Sequence, residues 1–104
     1  MKNEYGMVID RNHYTDTIMQ DTYRCYICGR TCNLQRHEIF NAAFRDKSKR
    51  LGLWIWVCKD CHWEITHVNA AGRINLKADG QLAAMDFYGL SEDEFIQMFG
   101  KNYL

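Results

Sequence analysis

The sequence predicts a small α+β domain held together by a metal ion, and three observations carry that prediction. Cys25 and Cys28 form one CxxC pair, and Cys58 and Cys61 a second about thirty residues later; together they offer the four thiolates that tetrahedral Zn²⁺ takes. Between the pairs lie two stretches of strand length, His37 to Phe40 and the β-rich, apolar Leu53 to Val57. Beyond the second pair the patterning turns helical and ends in a capping box, Ser91 with Glu94.

Residues 1 to 22 read as a peripheral segment and the one floppy region, with Val8 and Ile9 hinting at a short strand and Thr15 to Thr22 polar and weakly patterned. Tyr23 to Arg30 reads as a zinc knuckle, because Gly29 after Cys28 permits the tight backbone that turns amides toward sulfur. Ala42 to Leu51 reads as a helix ended by Gly52. The strand over Leu53 to Val57 then runs into the second knuckle, Cys58-Lys59-Asp60-Cys61-His62, which opens a helix. Adjacent helical residues point about 100° apart, so Cys61 and His62 face two sites: Cys61 the zinc, His62 whatever the His37-Glu38 strand presents. Ile74 to Tyr88 reads as a helix with Leu76, Leu82, Ala83, Met85 and Phe87 for packing; Phe95, Ile96, Met98 and Phe99 form the buried stripe of the last helix before Gly100. The chain divides into a peripheral segment (1–22), a zinc-stapled domain (23–72) and a C-terminal helical extension (73–104) packed on that domain.

At 104 residues, apolar burial alone is a thin basis for stability, and a metal staple fills the deficit. Five cysteines also suit a secreted disulfide scaffold, but the count is odd and MKNEYGMVIDRNHY has no apolar signal segment, so a reducing cytoplasm is expected. No apolar run approaches the roughly 18 residues of a membrane span. The net charge of zero argues against a protein that coats nucleic acid, yet Arg24 to Lys59 holds eight Lys or Arg against Glu38 and Asp46, while residues 60 to 104 hold three against seven acids. Within that basic centre Arg45, Lys47, Lys49 and Arg50 are candidate phosphate contacts; a solvated helix face explains them equally well. Trp54, Trp56 and Trp63 read as packing on the knuckle in preference to a protein-binding patch, and Cys32 as a small buried hydrophobe in preference to a replacement ligand.

A CxxC pair, a strand bearing His37-Glu38-Ile39, and a strand leading into CxxCH together resemble the HNH nuclease family with its ββα-metal fold, over Cys25 to about His67. The resemblance implies Cys25, Cys28, Cys58 and Cys61 as structural zinc ligands, His37 and His62 as ligands of a catalytic ion, and His67 as a third. His62 and His67 are five positions apart, about 140° on an ideal helix, so His67 joins the ion only if the helix breaks near Thr66, where Val68, Asn69 and Gly72 are poor continuers. Glu38 stands where the family has its general-base histidine, and Leu53 where it has the middle asparagine. Either Glu38 is the base, or His37 is the base and Glu38 a ligand. The stretch HEIFNAAFRDKSKRLGLWIWVC and the ending FYGLSEDEFIQMFGKNYL are also similar to small HNH-like proteins encoded by phages and prophages of Gram-positive bacteria.

That family implies metal-assisted phosphodiester hydrolysis in the bacterial cytoplasm, with Mg²⁺, Mn²⁺, Ni²⁺ or Zn²⁺ at the second site and DNA the favoured nucleic acid. Arg36 joins Arg45, Lys47, Lys49 and Arg50 as a phosphate contact. Two alternatives stand beside it: a zinc-held nucleic-acid-binding module that does not cut, and a phage factor that binds a host defence protein through the tryptophans or Glu92-Asp93-Glu94. Nothing in the sequence marks a self-complementary face, and a dimer is left open.

Overall fold

A computed structural model describes residues 1–68 and 75–104 and gives an α+β chain built on one antiparallel strand pair. Strand β1 (Leu34–Glu38) pairs with β2 (Trp54–Cys58) in the register His37 opposite Ile55 and Arg36 opposite Trp56. Side chains alternate across a strand, so Gln35, His37, Ile55 and Val57 share one face while Arg36, Glu38, Trp54 and Trp56 share the other. The link between the strands is a 3-10 turn (Ala42–Phe44) running into helix α1 (Arg45–Arg50), where the sequence suggests one helix over Ala42 to Leu51. Helix α2 (Lys59–His67) follows β2 without a loop. Helices α3 (Leu76–Tyr88) and α4 (Glu92–Phe99) complete the described elements; Ile74, expected to begin α3, lies outside the described residues.

The core sits under the Ile55-Val57 face: Ile39, Phe40, Leu51, Leu53, Ile55 and Val57 pack with Leu76 and Ala84 of α3 and with Phe95 and Phe99 of α4. Local chemistry explains most boundaries. Ser91 and Glu94 form the expected capping box, with the Ser91 hydroxyl accepting from the Glu94 N–H at 3.1 Å and the Glu94 carboxylate accepting from the Ser91 N–H at 2.9 Å. Gly89 and Gly100 close α3 and α4 in left-handed conformation. Ser48, fully buried, accepts from the Phe40 N–H at 3.0 Å and donates to the Phe40 carbonyl at 2.7 Å, fixing the turn that carries β1 into the core.

Residues 1–22 hold no helix or strand beyond a single bridge, Lys2 with Val8, yet they are stitched to the hairpin. Asn3 donates to the Arg50 carbonyl at 2.8 Å, the Thr15 hydroxyl to the same carbonyl at 2.7 Å, and the Trp54 indole N–H to the Thr15 carbonyl at 2.7 Å. Gly52 is the tightest point of this seam. Its φ is +70°, and a Cβ there would lie 2.4 Å from the Asp16 carbonyl oxygen. Gly52→Ala is therefore expected to cost about 3 kcal/mol, combining left-handed strain with overpacking; a urea midpoint unchanged from the parent would refute the seam.

Candidate metal and nucleic-acid site

The four predicted zinc ligands come together. Their sulfurs all lie within 4.8 Å of one another, and Cys28 Sγ is 3.7 Å from Cys58 Sγ. A tetrahedral Zn²⁺ with bonds of about 2.3 Å needs sulfurs about 3.8 Å apart, so the donor set fits that ion in number, type and spacing. Each knuckle also turns an amide toward sulfur: the Cys28 N–H faces Cys25 Sγ at 3.5 Å and the Cys61 N–H faces Cys58 Sγ at 3.4 Å. Burial works against ionising Cys25, but backbone N–H groups at Cys28, Cys58 and Ile27 outweigh it and lower that thiol to about 6. Burial and the neighbouring sulfurs of Cys58, Cys25 and Cys28 push Cys61 up. Cys32 is exposed and outside the cluster, not the buried hydrophobe the sequence suggests.

Cys61 and His62 do diverge. Cys61 turns to the sulfurs, whereas His62 swings over the strand face that carries His37, and the two imidazoles meet edge to face with centroids 5.4 Å apart. His62 Nδ1 is 2.6 Å from Gln35 Oε1; since the amide oxygen only accepts, Nδ1 carries the proton and the Nε2 lone pair is left for a ligand. Sequence reading missed Gln35, although its place two residues before His37 puts it on the same strand face. Burial first, then the nearby His62, lowers the His37 pKa, and Lys77 on α3 adds to that field, another residue not singled out from sequence.

Glu38 stands apart from this pair. It is 9% exposed, on the opposite strand face, with Oε1 accepting from the Tyr14 hydroxyl at 3.0 Å and from Arg45 Nε at 2.9 Å. Burial raises its pKa, but Arg45 and Tyr14 outweigh burial and hold the carboxyl below the ordinary value. Tyr14 responds in the other direction, pushed by burial and by Glu38 up to about 12. His67 also stands apart. Helix α2 ends just after Thr66, with Val68 as its C-cap, but still includes His67, whose ring stacks on Trp63 at 4.9 Å and whose Nδ1 lies 3.0 Å from the Trp63 carbonyl. Asn69 and Gly72, expected to stop the helix, lie outside the described residues.

The predicted basic contacts are largely engaged within the chain. Arg45 pairs with Glu38 and Arg50 with Glu4 at 3.0 Å; Lys47 donates to the Met98 carbonyl, and Lys49 lies 4.9 Å over the Tyr14 ring. Arg36 lies over the rings of Tyr14, Trp54 and Trp56. Trp54 is buried as expected of a packing residue, whereas Trp63 is 58% exposed. Among the described residues no helix is long and apolar enough to cross a membrane. No family model matches the chain, and neither a curated protein nor a solved structure matches it.

Proposed function

We propose that this chain is a metal-dependent endonuclease of the ββα-metal, HNH-like type, phage-derived, acting on nucleic acid in the bacterial cytoplasm with DNA as the favoured substrate. One observation carries the reading: two histidines from different elements, His37 on β1 and His62 on α2, meet at 5.4 Å beside a four-cysteine cluster, on a paired hairpin, β1 with β2, whose second strand runs directly into α2. His37 and His62 would hold the second ion, and Gln35 would orient His62. An ion there supplies Lewis acidity to the scissile phosphate and to the departing 3′ oxygen. Two imidazoles favour Mn²⁺, Ni²⁺ or Zn²⁺ over the harder Mg²⁺.

Glu38 is assigned a strut in this reading, not the base, because its carboxylate is committed to Tyr14 and Arg45. That commitment is also what favours the second reading, a zinc-held module that binds nucleic acid without cutting. Cleavage of plasmid and single-stranded DNA with each metal separates the two. Wild type is expected to cut, His37→Ala to be inactive, and Glu38→Gln, which keeps an acceptor for Tyr14 and Arg45, to retain most activity. No cutting by folded, zinc-loaded wild type selects the binding module. Loss of activity in Glu38→Gln, with zinc and fold retained, restores Glu38 as the base.

A further inference from the structure

On the face of the hairpin opposite His37 and His62, the N-terminal segment and the strands enclose a groove of about 430 Å³, within the size range of small-molecule sites, about 300–1,000 Å³. Arg36 lies in it, its guanidinium 4.4 Å from the Tyr14 ring centroid, 5.1 Å from Trp54 and 5.0 Å from Trp56. Its Nε is buried and has no hydrogen-bond partner, and its Nη2 lies 3.9 Å from Asp10 Oδ2. The other Asp10 oxygen accepts from the Asn12 and Tyr14 N–H groups at 2.8 and 3.0 Å, so the carboxylate is fixed in place beside the guanidinium. Asp16 and Asp21 add two more acids to the lining, and Tyr23, 62% exposed, stands edge-on to Trp56 at the rim.

The charges exclude two kinds of occupant. A phosphate meets three carboxylates against one guanidinium, which makes Arg36 a poor phosphate clamp. A cationic side chain meets Arg36 itself, which already lies over the ring faces a cation would take. What remains is a neutral, planar group whose acceptors and donors follow one another around its rim. We propose that this groove binds an unpaired guanine of a single strand: Arg36 donates to the guanine O6 and N7 acceptors, the adjacent Asp10 carboxylate accepts from its N1–H and N2 amino group, and the Tyr23 ring at the rim stacks on the base. A guanine paired in a duplex has its N1–H committed to the opposing base, so the site selects single-stranded nucleic acid. The binding inference stands on the groove alone. Its use, setting which stretch of strand crosses the His37-His62 face, rests on the nuclease reading.

The test is fluorescence titration of the zinc-loaded chain, with Trp54 and Trp56 as reporters, against guanosine, adenosine, cytidine, GTP and a short single-stranded oligonucleotide carrying one guanine. Saturable quenching by guanosine is expected, with adenosine and cytidine weaker by roughly tenfold or more, and the oligonucleotide tighter than GTP. Arg36→Met, which keeps the packing stem, and Asp10→Asn, an exposed change, are each expected to weaken guanosine by a similar factor with zinc content and circular dichroism unchanged. His37→Ala should bind guanosine like wild type whether or not wild type cuts DNA, so failure of the nuclease reading leaves this result standing. Equal binding of all three nucleosides, no binding, or undiminished binding in Asp10→Asn overturns the proposal. So does GTP binding tighter than the oligonucleotide, as does capture of an arginine-rich peptide in place of guanosine.

Discussion

Chelating the metal from the four-cysteine cluster is expected to unfold the chain, with loss of helical circular dichroism and a red shift of tryptophan emission. Cys25 and Cys58 are 3% and 1% exposed and belong to the core itself, so the cluster joins the first knuckle to the end of β2 and the start of α2. A structural zinc of this kind contributes about 10–16 kcal/mol in small domains, against a total stability of roughly 5–15 kcal/mol for a whole domain. Removing it leaves four thiols, those of Cys25 and Cys58 buried, crowded within 4.8 Å with nothing to hold the two knuckles together. Cys58→Ser should reproduce the unfolding at any practical metal concentration, whereas Cys32→Ser should leave both the zinc stoichiometry and the melting temperature where they were. A folded, cooperative, metal-free protein would sink the staple.

The features legible in the sequence are those with short-range chemical signatures. Two CxxC knuckles, the strand running into CxxCH, the Ser91-Glu94 box and the glycine stops are each written within a few residues, and all appear in the structure. The divergence of Cys61 from His62 was also readable, because helical angles follow from position alone. What misled depended on longer-range contacts. His67 folds back as a third ligand only if the helix ends before it, but it is the last residue of α2 and stacking on Trp63 one turn earlier gives its ring a partner there. The resemblance puts Glu38 in the base position beside His37, but strand alternation sends neighbours to opposite faces, and its partner Tyr14 lies 24 residues away. The N-terminal segment looked peripheral because its anchors, Asn3 on Arg50 and Thr15 on Trp54, span 47 and 39 residues, separations that periodicity cannot register. The basic run around α1 was readable as charge, not as the intramolecular pairs it forms with Glu38 and Glu4.

Gln35→Leu is expected to raise the Mn²⁺ concentration needed for half-maximal cleavage by about 10–100-fold while leaving the rate at saturating metal close to wild type. The amide oxygen of Gln35 sits 2.6 Å from His62 Nδ1, so it holds the proton on that nitrogen and leaves the Nε2 lone pair for a metal. An outer partner of this sort typically changes metal affinity by that factor without touching the reacting atoms. Leucine removes the acceptor, freeing the ring to turn and to exchange tautomers, and the loss is recovered by mass action. His62→Ala removes the ligand itself, and its rate should fall by roughly 10³-fold or more and stay low at any metal concentration. Gln35→Glu is expected to act in the opposite direction: a carboxylate against Nδ1–H makes the imidazole a better donor to metal, so the half-maximal Mn²⁺ concentration should drop below wild type. Both positions lie outside the sulfur cluster, and zinc content should be the same in all three variants, which separates an effect on the second ion from loss of the staple. If Gln35→Leu and Gln35→Glu both cut with the wild-type metal requirement, His62 does not ligate the catalytic ion, and the juxtaposition of His37 and His62 is packing.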